Sequence, residues 1–280
     1  MKKNNILILS AGRRVELVQD FQAEAAKFSD GTKILCTDLN PKMSSACQAA
    51  DGAFAVPRIS APDYIDSIFE LAQAQNIGLI IPTIDTELLK LADARARFAA
   101  AGIQIVVADS ALIRQCRDKR DTIALFTRHG IASPEIYAPD NITFPCFAKP
   151  YDGSRGIGAQ ALNNPEALTD ELKHDPKMMF CQLIDIQHTF KEFTVDMYYS
   201  HEGRLKCAVP RERLEVRSGE VSKGATRRDW LYDFLLEKMA VLEGARGCFT
   251  AQFFYHAESR SVYGVEINPR FGGGFPLTYA

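Results

Sequence analysis

The first 108 residues alternate short apolar runs with helix-like segments, and this alternation restricts the fold more than any other feature of the chain. The apolar runs are nearly continuous, as at residues 6–9 and 103–107, and the segments between them have helical spacing, as at residues 15–28. Strands that are apolar on both faces and joined by helices form parallel sheets covered on both sides. The pattern therefore predicts an α/β fold for residues 1–110, a doubly wound parallel sheet whose ligands lie beyond the carboxyl ends of the strands.

Residues 111–280 show a different pattern, in which strands joined by short turns dominate. One helical region is expected at 110–130. Strands are then expected at 144–148, 158–162, 178–183, 190–199 and 204–216, followed by a final hairpin at 248–267. Short turns between strands indicate antiparallel pairing, so this half of the chain is predicted to be an α+β domain.

The charge balance and the cysteine pattern restrict the partners and the compartment. The 33 basic and 35 acidic residues give a formal net charge of −2, so no global field would hold a nucleic acid or an anionic membrane. The apolar run at 6–9 is too short for a signal peptide or a membrane span. Seven dispersed cysteines without a C-x-x-C motif are typical of free thiols in a reducing compartment. We expect a cytoplasmic protein that binds neither nucleic acid nor membrane.

A glycine-rich turn follows a strand that ends in a lysine, in the sequence FAKPYDGSRGIG. Glycines let backbone N–H groups approach an anion closely, and Lys149 adds a point charge. The stretch is not a P-loop, because no helix follows the glycines. It fits either a phosphate grip or a plain flexible hairpin. The candidate phosphate-binding residues are Lys149, Gly153, Gly156 and Gly158.

The turn SAGRR at residues 10–14 follows the first predicted strand but lacks the G-x-G-x-x-G pattern. A nicotinamide-dependent dehydrogenase is therefore poorly supported. The turn either connects strand to helix or faces an anionic substrate.

The last predicted hairpin brings oxygen-bearing side chains together. A three-residue turn at 258–260 would place Gln252 opposite Glu266 and Thr250 opposite Asn268. Directly opposed residues share a face, so Gln252, Glu266 and Asn268 would converge. Amide and carboxylate oxygens without His or Cys suit a hard cation such as Mg²⁺. The competing interpretation is that these three side chains simply form the polar, solvent-facing side of a hairpin at the edge of the sheet.

These motifs, in this order, resemble the ATP-grasp superfamily. The chain is most similar to the ATP-binding halves of the carbamoyl-phosphate synthase large subunit and to related carboxylate–amine ligases. The resemblance covers nearly the whole sequence and implies an ATP-grasp domain at 111–280. Within it, a lid of about 123–183 would carry the glycine-rich loop and a larger antiparallel part would span 184–280. ATP would lie between these two parts.

The resemblance also assigns roles to individual residues. Lys119, in CRDKRDT, and Lys149 match the two lysines that contact nucleotide phosphates. The mobile loop after the second lysine matches Gly153, Ser154, Arg155, Gly156 and Gly158. Glu192 matches the carboxylate that accepts the ribose hydroxyls. The hinge that reads adenine through its backbone matches Gln182, Leu183 and Ile184, although the family often carries Glu at the first position. The Mg²⁺ ligands match Gln252, Glu266 and Asn268, and Arg270 matches the arginine beside them.

The implied activity is ATP-dependent ligation of a small-molecule acid through an acyl phosphate, with an amine or less often a thiol as acceptor. ATP and Mg²⁺ are the expected cofactors, with two ions and with Mn²⁺ as an alternative metal. Apart from the resemblance, charged residues alternate along one predicted strand face, at Arg211, Arg213, Glu215 and Arg217. If that face looks into the cleft, Arg211 would meet the γ-phosphate or a substrate carboxylate; otherwise the face is simply solvated. A catalytically silent ATP-binding regulatory module is the alternative function.

The last expectations concern the oligomeric state and the length of the natural chain. A homodimer is one option for the oligomeric state. Family members continue for some tens of residues past the N-P-R motif. We therefore expect either a longer natural chain or a minimal ligase whose acceptor pocket is completed by another chain.

Overall fold

A computed structural model describes residues 4–279 except 29–30, 154–155, 187 and 218–219. The amino-terminal part forms a five-stranded parallel sheet in the order β3-β2-β1-β4-β5. Its elements are β1 (Asn5–Ile8), α1 (Val15–Phe28), β2 (Ile34–Asp38), α2 (Ser45–Ala49), β3 (Gly52–Ala55), α3 (Tyr64–Ala74), β4 (Ile77–Ile81), α4 (Asp85–Ala100) and β5 (Gln104–Ile105). The predicted parallel sheet is confirmed.

Two helices follow, where the sequence predicted one helical region. They are α5 (Ser110–Arg117) and α6 (Lys119–Arg128). Asp118 separates them, because its backbone is extended and its side chain accepts a hydrogen bond from the N–H of Arg120, which caps α6. The break places Lys119 at the first position of a helix.

A four-stranded antiparallel sheet forms the small lid, in the order β6-β9-β7-β8. Its elements are β6 (Ile136–Tyr137), β7 (Cys146–Pro150), β8 (Gln160–Leu162), α7 (Asp170–His174) and β9 (Met178–Gln182). The lid has its own small core, which includes Cys146, Ala148 and Phe180. The glycine-rich loop joins β7 to β8.

The last sheet has five antiparallel strands in the order β12-β11-β10-β13-β14. The elements of this part are β10 (Lys191–Tyr199), β11 (Leu205–Arg217), β12 (Glu220–Thr226), α8 (Trp230–Lys238), β13 (Gly247–His256), β14 (Ser261–Asn268) and α9 (Pro276–Tyr279). One face of the sheet is apolar: Phe193, Val195, Phe253 and Ile267 are buried in a core that also contains Leu7 and other residues of the amino-terminal sheet. The opposite face is polar.

The hairpin of β13 and β14 differs from the prediction at its turn. His256 lies opposite Ser261, so the turn has four residues rather than the three expected at 258–260. A bulge at Val265 then shifts the register by one residue between Phe253 and Gln252. The two differences cancel, and Glu266 lies opposite Gln252 as predicted.

Within the described residues, no helix combines the length and the apolar composition needed to cross a bilayer. All seven cysteines are free thiols, as the dispersed pattern predicted.

Candidate functional site

The polar face of the last sheet collects the candidate site residues. Glu192, Thr194 and Asp196 alternate along β10 with the buried residues of the apolar face. Thr194 lies opposite Gln252 on one neighbouring strand and opposite Arg211 on the other. Strand register therefore brings β10, β11, β13 and β14 side chains to one surface.

Gln252, Glu266 and Asn268 lie together at one edge of this surface. Glu266 is paired with Gln252, and Asn268 is paired with Thr250, as the sequence predicted. The Asn268 amide Nδ2 donates to Glu266 Oε1 at 3.0 Å. A carboxylate and two amide oxygens fit a hard divalent cation that completes its shell with water or phosphate oxygens. Among the described residues, no cluster of three or more His, Cys, Asp and Glu offers another metal site.

Lys119 connects this edge with the glycine-rich loop. Its Nζ lies 3.8 Å from Glu266 Oε2 and donates to the backbone carbonyl of Gly153. Burial lowers the pKa of Lys119; the nearby Glu266 carboxylate opposes this shift, and the Lys149 ammonium adds to it. The Lys149 charge is thus close enough to act on Lys119.

Lys149 is a buried cation on β7, with only 9% of its surface exposed. In the part of the chain that the structure describes, it forms no ion pair. Lys119 thus lies within electrostatic reach of two further cations, Lys149 and Arg117, and of two carboxylates, Glu266 and Asp152. A local excess of positive charge of this kind suits a polyanionic ligand such as a triphosphate.

The glycine-rich loop needs glycine for backbone reasons. Gly156 and Gly158 have φ angles of +69° and +74°, which side chains disfavour. A Cβ at Gly158 would also lie 3.2 Å from Pro150 Cγ. The candidate residues Ser154 and Arg155 lie outside the described residues.

The predicted hinge follows β9. The N–H of Gln182, the last residue of β9, donates to Glu135 O at 2.8 Å. In the described chain, the backbone groups of Leu183 and Ile184 form no backbone–backbone hydrogen bond outside the strand ladders. Such groups are suited to bind a planar base through its edge.

Glu192 is held by an arginine that the sequence did not assign to the site. Arg213 Nε lies 3.2 Å from Glu192 Oε1. Burial raises the pKa of Glu192, the Arg213 cation opposes the shift, and the Glu266 charge adds to it. Glu192 therefore lies within electrostatic reach of the Gln252–Glu266–Asn268 set.

Arg211 lies deeper than the sequence suggested. It is 1% exposed, and its Nη1 donates to Asp196 Oδ2 at 2.8 Å and to Thr278 Oγ1 at 2.7 Å. The chain crosses directly over its guanidinium, since a Cβ at Gly274 would lie 2.7 Å from Arg211 Nη2. In this conformation Arg211 does not face an open cleft.

Arg270 follows the metal-ligand strand closely, as expected, but it contacts the amino-terminal domain. Its Nε and Nη2 both donate to Asp85 Oδ2, at 2.9 and 2.7 Å. Asp85, Asp196 and Arg213 are partners that sequence reasoning missed. Asp196 and Arg213 lie on the same strands as the candidates Glu192 and Arg211, so alternation places them on the same face. Asp85 belongs to the amino-terminal domain, and only the fold brings it to Arg270.

A separate recess of about 330 Å³ lies on the other face of the last sheet. Its lining includes Lys191, Phe193, Glu212 and Tyr255, which alternate with the residues of the polar face. The candidate site is the polar surface, because the motif residues converge there.

Two family models match the chain. The model described as "ATP-grasp domain" matches residues 116–274, and the model described as "PylC-like, N-terminal domain" matches residues 6–106.

Individual proteins are similar over most of the chain. A carbamoyl-phosphate synthase from Methanobrevibacter smithii is 24% identical over 249 residues, which cover 82% of this chain and 66% of that protein. A biotin carboxylase from Campylobacter jejuni, solved as a beta-gamma-ATP complex, has a TM-score of 0.73 at 16% identity, and the match covers 98% of this chain and 67% of that one. A biotin carboxylase domain of the 2-oxoglutarate carboxylase from Hydrogenobacter thermophilus was solved as a dimer with MgADP, ADP and bicarbonate. It has a TM-score of 0.70 at 15% identity, and the match covers 98% of this chain and 65% of that one. The chain thus spans about two thirds of the length of these proteins.

Proposed function

The chain belongs to the ATP-grasp family, and from this premise we propose that it is an ATP-dependent ligase that joins a small carboxylic acid to an amine, or to a thiol, through an acyl phosphate. The observation that carries the proposal is the contact of Lys119, which has Lys149 within electrostatic reach, with the strand edge that presents Gln252, Glu266 and Asn268. Lysine cations near a carboxylate and two amides form a surface for Mg²⁺ and a triphosphate.

The nucleotide would occupy the space between the lid and the last sheet. Leu183 and Ile184 would bind adenine through their backbone groups, with Gln182 at the strand end, and Glu192 would accept the ribose hydroxyls. The loop with Gly153, Gly156 and Gly158 would cover the phosphates. In this proposal the lid spans about 123–183 of an ATP-grasp domain at 111–280, behind an amino-terminal domain at 1–110.

Gln252, Glu266 and Asn268 would hold two Mg²⁺ ions, or Mn²⁺ in their place. The bound metal would neutralise the charge that develops on the transferring phosphoryl group.

The chain's own residues then position the reactants. A carboxylate oxygen of the acid attacks the γ-phosphorus of ATP, the bond to the β-phosphate oxygen breaks, and ADP leaves. The amine nitrogen attacks the acyl carbon, loses a proton and displaces phosphate. Lys119, Lys149 and Arg270 stabilise the phosphoryl oxygens, and the closed loop keeps water from the acyl phosphate. Arg211 would bind a substrate carboxylate after the segment above it moves.

The compartment and assembly follow the same proposal. We expect a cytoplasmic enzyme that acts on small molecules, and a homodimer is the assembly to test by light scattering during size-exclusion chromatography.

Thermal unfolding and product analysis test the function. Mg·ATP should raise the unfolding midpoint, because a ligand that binds only the folded state stabilises it, whereas NAD⁺ should leave it unchanged. Amino acids and sugar acids are then screened for a further rise of the midpoint in the presence of a non-hydrolysable ATP analogue. The acids that raise it are assayed with ATP and amines for ADP release. A stoichiometric C–N product supports the proposal. A midpoint raised by NAD⁺ alone, or no ADP release with any such pair, contradicts it.

A further inference from the structure

Arg270, just after β14, and Asp85 of the amino-terminal domain form an ion pair. Asp85 Oδ2 accepts from both Nε and Nη2 of Arg270, while Nη1 donates to Phe271 O at 3.1 Å. Both side chains are mostly buried, with 18% and 25% of their surfaces exposed. Ion pairs of this type, with charge-assisted hydrogen bonds and little solvent, fix a guanidinium more firmly than surface pairs do.

Asp85 is itself held rigidly. It is the first residue of α4, where its negative charge favours the helix N-terminus. The two residues before it are fixed by the buried Glu87, whose Oε1 accepts from the N–H groups of Thr83 at 2.8 Å and Ile84 at 3.2 Å. The other oxygen of Glu87 accepts from Ser10 Oγ and Tyr64 OH. Asp85 therefore has little freedom to move when Arg270 meets a ligand.

The residue after Arg270 is anchored to the same domain. Phe271 is 9% exposed and belongs to a hydrophobic cluster with Ile8, Ala11 and Leu17 of the amino-terminal domain. Its ring also makes an edge contact with Phe21, at 6.1 Å between centroids. The backbone and the side chain of this short segment are thus both positioned by residues more than 180 positions earlier.

The ion pair leaves part of Arg270 available. A guanidinium has five N–H groups, and the contacts with Asp85 and Phe271 use three, so two remain for a ligand. We propose that Asp85 is a positioning residue: it holds Arg270 beside the Glu266–Asn268 strand so that these two donors meet a phosphoryl or acyl-phosphate oxygen. The inference rests on the proposed function for the role of Arg270, but the positioning itself is a property of the fold.

The first experiment needs no turnover. In protein labelled with ¹⁵N-arginine, the Nε–H signal of Arg270 is identified by its loss in Arg270→Lys. Asp85→Asn should raise its exchange rate with water by about tenfold or more, because a charge-assisted hydrogen bond is lost. Asp109→Asn is the matched control: Asp109 contacts Arg95 of α4 and Arg246 before β13, but no candidate site residue. It should leave the Arg270 exchange rate within about twofold.

The second experiment separates positioning from general stability. Asp85→Asn should lower the kcat for ADP release by about tenfold and leave the KM for ATP within about twofold; in an Arg270→Lys background it should have no further effect. An equal effect of Asp85→Asn in both backgrounds, or an unchanged Arg270 exchange rate, would overturn the proposal. If Asp85→Asn does not fold, Asp85→Ser, which a helix start also accepts, takes its place. If the wild-type protein shows no turnover, the proposed function is contradicted but the positioning role of Asp85 is not. The exchange rate of the Arg270 Nε–H still decides that role.

Discussion

Lys119 is a cation whose surroundings favour ligand binding over stability. Burial lowers its pKa, the neighbouring Lys149 adds to that shift, and the Glu266 carboxylate opposes it without cancelling it. A lysine whose pKa is lowered by folding destabilises the folded protein at every pH at which that lysine is protonated in the folded state. A triphosphate would offset this cost by neutralising both lysines.

Lys119→Met should therefore raise the stability of the nucleotide-free protein while weakening Mg·ATP binding. Between the lowered folded-state pKa and the ordinary value of 10.5, the unfolded chain binds more protons than the folded one, so wild-type stability rises with pH there. The advantage of the variant should be full at neutral pH and should shrink as the pH rises through this window. Urea unfolding at several pH values measures it. A variant less stable than wild type at pH 7 would show that the Glu266 contact outweighs burial.

At the residue scale, the sequence predicted which side chains share the polar face but not what holds them. Gln252, Glu266 and Asn268 could be placed because period-two alternation and one hairpin determine their face. The pairing of Arg270 with Asp85 could not be predicted, because it joins two residues 185 positions apart and Asp85 has no local signature. Arg211 was judged from alternation alone, which reveals its face but not the segment that covers it.

The β13–β14 hairpin is the element on which the metal proposal depends most. Had the register at the turn continued without the bulge, Val265 would lie opposite Gln252, and Glu266 would point into the core. The bulge at Val265 corrects this within one residue. The sequence prediction reached the right pairing from a turn one residue too short, because no local signal distinguishes a four-residue turn with a bulge from a three-residue turn without one.

The absence of a side chain at Gly264 lets this hairpin pack closely against α6, the helix that begins at Lys119. A Cβ at Gly264 would lie 2.4 Å from the buried ring of Phe126, which packs edge-on against Phe253 at 5.4 Å. Gly264→Ala should therefore lower the free energy of unfolding by about 1–3 kcal/mol through overpacking.

Gly273→Ala is the matched control for Gly264→Ala, because a Cβ there meets no atom within 4 Å. It should change the free energy of unfolding by no more than about 0.5 kcal/mol. Denaturant midpoints compare the two variants. Equal losses would contradict the close packing of Gly264 on α6.

On the scale of the whole molecule, the amino-terminal sheet and the last sheet share one continuous core. Leu7 and Ile80 of the first belong to the same buried cluster as Phe193 and Phe253 of the second. The sequence predicted two fold classes and their order, because alternation and turn length are local patterns. It could not predict this shared core or the docking of Phe271, because they depend on how the two sheets pack.

The central claim is that the Gln252–Glu266–Asn268 edge supports Mg·ATP chemistry, and Glu266→Gln tests it most directly. The substitution keeps the size of the side chain and removes the charge, while Glu258→Gln makes the same change in the exposed turn of the same hairpin. The measurement is ADP release from Mg·ATP with an acid and amine that support turnover, beside the thermal unfolding midpoint. We predict a loss of about 100-fold or more for Glu266→Gln at an unchanged midpoint, and wild-type rates for Glu258→Gln. Near-normal ADP release by a folded Glu266→Gln protein would contradict the account.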